Sequence, residues 1–455
     1  MKKSTGIIFL VAAALAAFVY FYELKHNPPS ETPGSTSKPA FSVSADDITS
    51  VTLERAGTTA TFEHRPDGWY MLQPVATRAD QSRLTGITSQ IASLQTDRTF
   101  PVTAEQITSF GLDHPSVTLT ITMKNGSKHK LRFGGKDFSG SSVYVLLDED
   151  TKNVSLIADT LLTTSDKGVE DLRDRAVLGV SAYDATSFDL VNPGGEIAAA
   201  KKDDQWTMQK PRAAAGDSSA ITSLLETVNN AQITKFVSDS AADLGRYGLA
   251  SPAIRFHSTG ANGQAAELQI GKKDGGEYFA RDAARPVIFR VNDALYKALN
   301  EKFSDLRDKQ LVHFSEADVS QIEVRNQNGT SQCVKSAAGG AAGGAAGGAG
   351  GQLVLQPNDD KGDKGDKGAA VPCPFVAALE MARAQEIYDE PPAAVAAKLA
   401  KPPVQVTLTN VSGKKLEIQV SAPAGDSVYT RTSGGPEIYK LEKKLFDDLN
   451  SKASP

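Results

Sequence analysis

Trp69-Tyr70-Met71-Leu72-Gln73-Pro74 decides the fold, because the same grammar returns as Trp206-Thr207-Met208-Gln209-Lys210-Pro211, 137 residues later. Working outward, Phe110-Gly111-Leu112 runs into Pro115, and Tyr247-Gly248-Leu249 runs into Pro252 at the same spacing. Leu172-Arg173-Asp174 returns as Leu306-Arg307-Asp308. Three signatures in one order at nearly one spacing establish a duplication. A third, degraded copy is expected further on. Gln352 to Pro357 fills the Trp-x-x-x-x-Pro position with Gln in place of Trp. Leu399 and Pro402 fill the Gly-Leu-x-x-Pro position.

Each copy alternates between strand and helix patterns. Residues 48–53 and 188–191 read as strands. Asp67-Gly68 and Asp203-Asp204 read as turns feeding the Trp strands, which the prolines then end. Asp80 and Asp217 stand where they can cap a helix. Leu84, Ile87, Ile91 and Leu94 then define one buried helical face, as do Ile221, Leu224, Leu225 and Val228. Val117, Leu119 and Ile121 alternate up to the hairpin signal Asn125-Gly126. Residues 130–133, 144–146 and 154–157 add further strands. The expected fold class is α+β, with mostly antiparallel sheet packed on helices in three tandem repeats. These cover residues 41–178, 179–312 and 313–455, the third carrying a low-complexity insert at 336–370.

The N-terminus sets the expected compartment. Lys2 and Lys3 precede an uncharged run from Ser4 to Tyr22. As a helix it reaches about 28 Å, enough to cross a hydrocarbon core of about 30 Å. The basic flank favours a cytoplasmic N-terminus. Residues 1–22 therefore read as a short cytoplasmic end and transmembrane anchor in contact with the lipid bilayer, with a cleaved signal peptide as the rival. Residues 23–40 are rich in Pro, Ser and Thr and read as a tether. The chain beyond this tether is expected outside the cytoplasm.

Composition narrows the function. The chain has 455 residues, 40% hydrophobic and 23% charged, which is ordinary globular usage. A net charge of −5 argues against a general nucleic-acid binder. Two cysteines build neither a disulfide scaffold nor an all-cysteine zinc site. Cys333 and Cys373 flank the insert, so either they pair and staple its base or they are buried thiols. Residues 337–351 are Ala and Gly alone and read as a flexible linker, and KGDKGDKG at 361–368 reads as a solvated loop.

No HExxH, GxSxG or phosphate-binding loop is present, and the six histidines form no cluster in sequence. No catalytic, cofactor-binding or metal residue is therefore assigned, no cofactor is implied, and the chain is expected not to be an enzyme. Trp69 and Trp206 read as core, with a carbohydrate-stacking platform as the alternative. Gly111 and Gly248 are expected to supply unusual backbone angles. Arg173-Asp174 and Arg307-Asp308 are expected to pair with backbone or charge at a domain junction, or else to contact a partner.

The anchor, the Trp-x-x-x-x-Pro motif followed by an acidic position, the aromatic-Gly-Leu-x-x-Pro turn and the closing Leu-Arg-Asp together resemble the bacterial DUF4340 family. The matching positions are Trp69, Pro74, Asp80, Phe110, Gly111, Leu112, Pro115, Leu172, Arg173 and Asp174. In the second copy they are Trp206, Pro211, Asp217, Tyr247, Gly248, Leu249, Pro252, Leu306, Arg307 and Asp308. The third copy departs at Gln352 and lacks a clear Leu-Arg-Asp. The family has no assigned catalytic residues. The resemblance implies a context beside an ABC-type exporter similar to the gliding-motility auxiliary transporter. The expected function is thus a non-enzymatic, membrane-anchored periplasmic accessory or scaffold protein whose partners are transporter membrane subunits. The alternative is a cell-envelope glycan or peptidoglycan binder.

Overall fold

The computed structural model describes residues 37–179, 181–336, 351–356 and 371–451. The expected anchor at 4–22 lies outside these residues, as do the Ala/Gly run up to Gly350 and KGDKGDKG. Among the described residues no helix is long and apolar enough to cross a membrane. The chain divides into two compact units, the first ending at Ala176 and the second beginning at Val177.

The first unit is built on a nine-stranded antiparallel sheet. In space its strands run Thr77–Arg78, Gly68–Gln73, Thr58–Arg65, Ile48–Arg55, Val117–Met123, Lys128–Lys136, Ser142–Leu147, Asn153–Ala158 and Arg98–Pro101. Alternation decides which face is buried: Val117, Leu119 and Ile121 are sealed from solvent, as are Val51, Phe62 and Met71. The helix Gln81–Ala92 lays Leu84, Ile87 and Ile91 onto that face. Each such side chain is worth about 1.5–3 kcal/mol when fully buried. Asp80 caps this helix by accepting from the Arg83 N–H at 3.0 Å. A smaller core of Leu112, Leu146 and Val154, with Phe110 and Tyr144 stacked beside it, gathers the Phe-Gly-Leu turn.

The second unit carries two more sheets. Its first has nine strands in the same spatial order, and its second has eight in that order without the short outermost strand. An isolated bridge, Val354 to Pro372, stands in the place of that missing strand. Register irregularities recur too: the first strand slips between Ile48 and Ser50, between Ala185 and Ser187, and between Val319 and Gln321. Bulges at one place in all three sheets show that the repeat extends to backbone detail. Val177 and Leu178 pack into the core of the second sheet, and Leu311 and Val312 into that of the third.

Helix length separates the copies. The second copy keeps a long helix, Ser218–Asn230, capped by Asp217 through the Ser219 and Ala220 N–H groups. The third keeps only Phe375–Glu380, preceded by Pro374, which makes no side-chain cap. The third copy also corrects one expectation. Leu353, not Gln352, takes the tryptophan position. Cys373 N–H donates to Leu353 O at 3.0 Å, as Ala79 does to Trp69 and Gly216 to Trp206. Gln352 is exposed and Leu353 is sealed. Strand Leu353–Leu355 also lies inside the stretch read as a low-complexity insert.

Candidate functional site

The tryptophans are walls of the core. Trp69 is 4% exposed and Trp206 is 5% exposed. Gln81, in the first turn of its helix, accepts from the Trp69 N–H at 2.6 Å and donates to the Trp69 carbonyl at 2.9 Å, tying strand to helix. Trp206 packs beside Phe188, ring centres 5.8 Å apart. Neither indole offers a face to a sugar, so the stacking-platform reading of these two residues is overturned by their burial. Pro74 and Pro211 follow cis peptide bonds at the ends of the Trp strands. Gly111 and Gly248 both sit at φ +71, the left-handed region that glycine enters without steric cost.

The turns they serve press on a second glycine that motif reading missed. A Cβ on Gly134 would stand 2.2 Å from the Phe110 carbonyl, and one on Gly271 would stand 2.2 Å from the Tyr247 carbonyl. The signal was available, because Gly134 and Gly271 are themselves 137 residues apart.

The closing Leu-Arg-Asp segments lie against the start of each long helix. Asp80 N–H donates to Leu172 O at 2.9 Å and Asp174 N–H to Arg78 O at 3.1 Å. In the next copy Asp217 N–H donates to Leu306 O and Asp308 N–H to Ala215 O, both at 2.8 Å. Leu172 and Leu306 are buried, and so are the arginines beside them. Asp174 lies 3.7 Å from Arg78 and accepts the Ala176 N–H.

In the second unit these residues build a junction between two sheets. Arg307 donates through Nη1 to Asp389 Oδ1 at 2.6 Å, and Asp389 also pairs with Arg212. Both guanidinium groups stand over the Phe303 ring, at 5.5 and 5.0 Å from its centre. Burial, then the like charge of Arg212, pulls the Arg307 pKa below its ordinary value. Beside this pair, Arg383 donates to Asp217 Oδ2 at 2.6 Å. Burial alone would raise the Asp217 pKa. The Ala220 N–H and the Arg383 guanidinium outweigh it and hold the carboxyl below its ordinary value. Asp308 accepts the Gln310 N–H and pairs with His313. Backbone bonds close the seam: Leu311 N–H to Ala382 O at 2.9 Å and Ala384 N–H to Lys309 O at 2.7 Å.

Cys333 and Cys373 are bonded as a disulfide, Cα atoms 5.8 Å apart. Among the described residues no group of three or more His, Cys, Asp or Glu is placed to hold a metal ion. Two open grooves flank corresponding helices of the second unit. One, about 250 Å³, runs between Ser223 and Thr227 on one side and Glu301 and Asp305 on the other. The other, about 200 Å³, lies between Met381 and Leu445. Burial, then the neighbouring Asp305, raises the Glu301 pKa.

The geometry defines a class: a tandem α+β repeat chain whose recurring residues serve cores, caps, turns and an ionic junction. The chain belongs to the family described as domain of unknown function (DUF4340), whose model matches residues 69–214 and 206–367, more than half of the sequence. Both matches begin on a Trp strand, so the matched unit is out of phase with the sheets. The second match contains Arg212, Asp217 and Arg307 but not their partners Arg383 and Asp389. No curated protein matches the chain.

Proposed function

We propose that this chain is a non-enzymatic scaffold subunit, held by residues 4–22 in a bacterial inner membrane with its repeats in the periplasm, and a partner of an ABC-type transporter resembling the gliding-motility kind. The observation that carries this reading is what the repeated signature does. Trp69 and Trp206 wall cores, Asp80 and Asp217 cap helices, Gly111 and Gly248 turn the backbone, and Arg307 locks two repeats together. Duplication of such residues multiplies modules, and tandem modules on one anchor gain partner affinity through effective concentration. A disulfide in the third repeat suits an oxidising compartment.

Among the described residues Phe138 is the most exposed of the large apolar side chains and suits an anchor for a partner. Phe138 is fully exposed at a hairpin tip, where the second repeat carries Gly275-Gly276 and the third Ala424-Gly425. An aromatic that packs on nothing in its own sheet suits the centre of a protein interface.

The test is a mild-detergent pull-down of tagged, full-length protein from native membranes, read by mass spectrometry. The expected result is recovery of transporter membrane subunits and an ATPase. These are lost when residues 4–22 are deleted and reduced in Phe138→Ser. Recovery of the bait alone from well-solubilised membranes sinks the reading.

A further inference from the structure

We infer that the Cys333–Cys373 disulfide is a redox latch, a site of thiol–disulfide exchange that sets whether the third repeat grips the second. In the other two repeats the head of the long helix has two backbone anchors. The residue before the cap is held by the Trp strand, and the cap itself by the Leu-Arg-Asp segment: Ala79 to Trp69 and Asp80 to Leu172, then Gly216 to Trp206 and Asp217 to Leu306. An aspartate side chain completes the cap in both.

The third repeat keeps the first of these bonds, Cys373 N–H to Leu353 O, and changes the rest. Pro374 stands at the cap with neither an N–H nor a side-chain acceptor. The sequence holds Leu-Arg-Asp only at 172–174 and 306–308. The tryptophan is Leu353. In place of these anchors a covalent bond ties Cys373, two residues before the helix, to Cys333 on the neighbouring strand. By ladder register Cys333 takes the place of Phe62 and Ala199, opposite Leu355 where they face Met71 and Met208.

The helix anchored this way is also the grip on the second repeat. It spans only Phe375–Glu380, and the junction begins at its last residue. Glu380 O accepts from Gln310 Nε2 at 3.1 Å, Ala382 O from Leu311 N–H, and Arg383 reaches Asp217. A six-residue helix is far too short to persist by itself, so its order depends on the burial of Phe375 and Leu379 and on its tethers at each end. Opening the disulfide frees the head of the helix and loosens the seam at its tail.

The exchange needs a dithiol as reductant. Cys373 is 8% exposed and Cys333 fully buried, so attack falls on the Cys373 sulfur. The reagent thiolate forms a mixed disulfide with Cys373 while Cys333 leaves as a thiolate and takes a proton. The reagent's second thiolate then closes its own disulfide and releases Cys373, which is protonated in turn. Two electrons pass from the dithiol, which is oxidised, to the protein disulfide, which is reduced.

The experiment is hydrogen exchange on the full-length protein with and without dithiothreitol, reduction being verified by the gain of two hydrogens in the 333–373 region. The expected result is faster exchange, by about tenfold or more, confined to residues 375–389, which include the edge strand Glu386–Tyr388, and 307–313, with the other strands of the sheets and the first unit unchanged. Three results overturn the latch. They are unchanged exchange at 375–389 after complete reduction, loss of protection across the whole third sheet, and failure of the dithiol to reduce the bond in the folded protein. The double variant Cys333→Ser/Cys373→Ser, where it folds, is expected to show the reduced pattern without reagent.

Discussion

At Trp69 and Trp206 the indole closes the space between sheet and helix, so truncation leaves a cavity that rigid neighbours fill poorly. Trp69→Ala and Trp206→Ala are each expected to cost about 3–5 kcal/mol, read by thermal or urea melts of the unit concerned. A variant that melts normally but has lost binding to an envelope glycan would return these residues to the surface role their burial denies. The two turn glycines make a finer comparison. Both sit at φ +71, where a Cβ costs roughly 1–2 kcal/mol on backbone grounds alone. At Gly248 the added carbon also stands 2.8 Å from the Lys272 nitrogen, whereas at Gly111 the nearest atom is 3.6 Å away. Gly248→Ala is therefore expected to lose more stability in urea than Gly111→Ala. Equal losses would show that the φ term alone decides.

At the scale of elements, the helix Ser218–Asn230 gathers two jobs at its head: Asp217 caps it and receives Arg383 from the next repeat. The carboxyl is held below 3.8, its ordinary value. A depressed carboxyl stabilises the fold above its unfolded pKa, and that contribution is lost as pH falls through the folded value. The second unit is thus expected to lose melting temperature as pH drops from about 5 to 2, with a shallower acid limb in Asp217→Asn. An unaltered limb in the variant would exclude Asp217 as a source. The cap itself was legible in the sequence, because capping is local: an acidic residue immediately before an apolar face carries its whole signal within a few positions. The strands and the Gly turns were legible for the same reason. The ionic partners were not. Asp389 and Arg383 lie in a copy with no surviving motif at those positions, and nothing local distinguishes them from solvated charges. Gln352 falls on the tryptophan position only by counting back from Pro357, which ignores strand register. In the second repeat the backbone slips between Ala198 and Ala199, and the spacing to the proline depends on that slip.

At the scale of the molecule, the question is what makes the region from Val177 onward one body although it contains two sheets with separate cores. Each core is complete in itself, so the hydrophobic effect alone would leave two beads. What joins them is narrow and polar: Arg307 and Arg212 on Asp389, Arg383 on Asp217, and the backbone seam between 309–311 and 382–384. Arg307 is the buried member of this set, at 6% exposure. Removing one partner of a buried ion pair leaves the other uncompensated, at a cost of about 3–5 kcal/mol. Arg212 remains beside Asp389 and is half exposed, so water and that guanidinium share the orphaned charge and the loss falls near the lower figure. The second unit, residues 177–455, is therefore expected to melt in a single transition. Arg307→Ala is expected to split it into two, because each sheet keeps its own core while the coupling between them goes. Calorimetry decides the matter. One transition merely shifted down in the variant would mean that the seam of backbone bonds, rather than the buried arginine, carries the coupling.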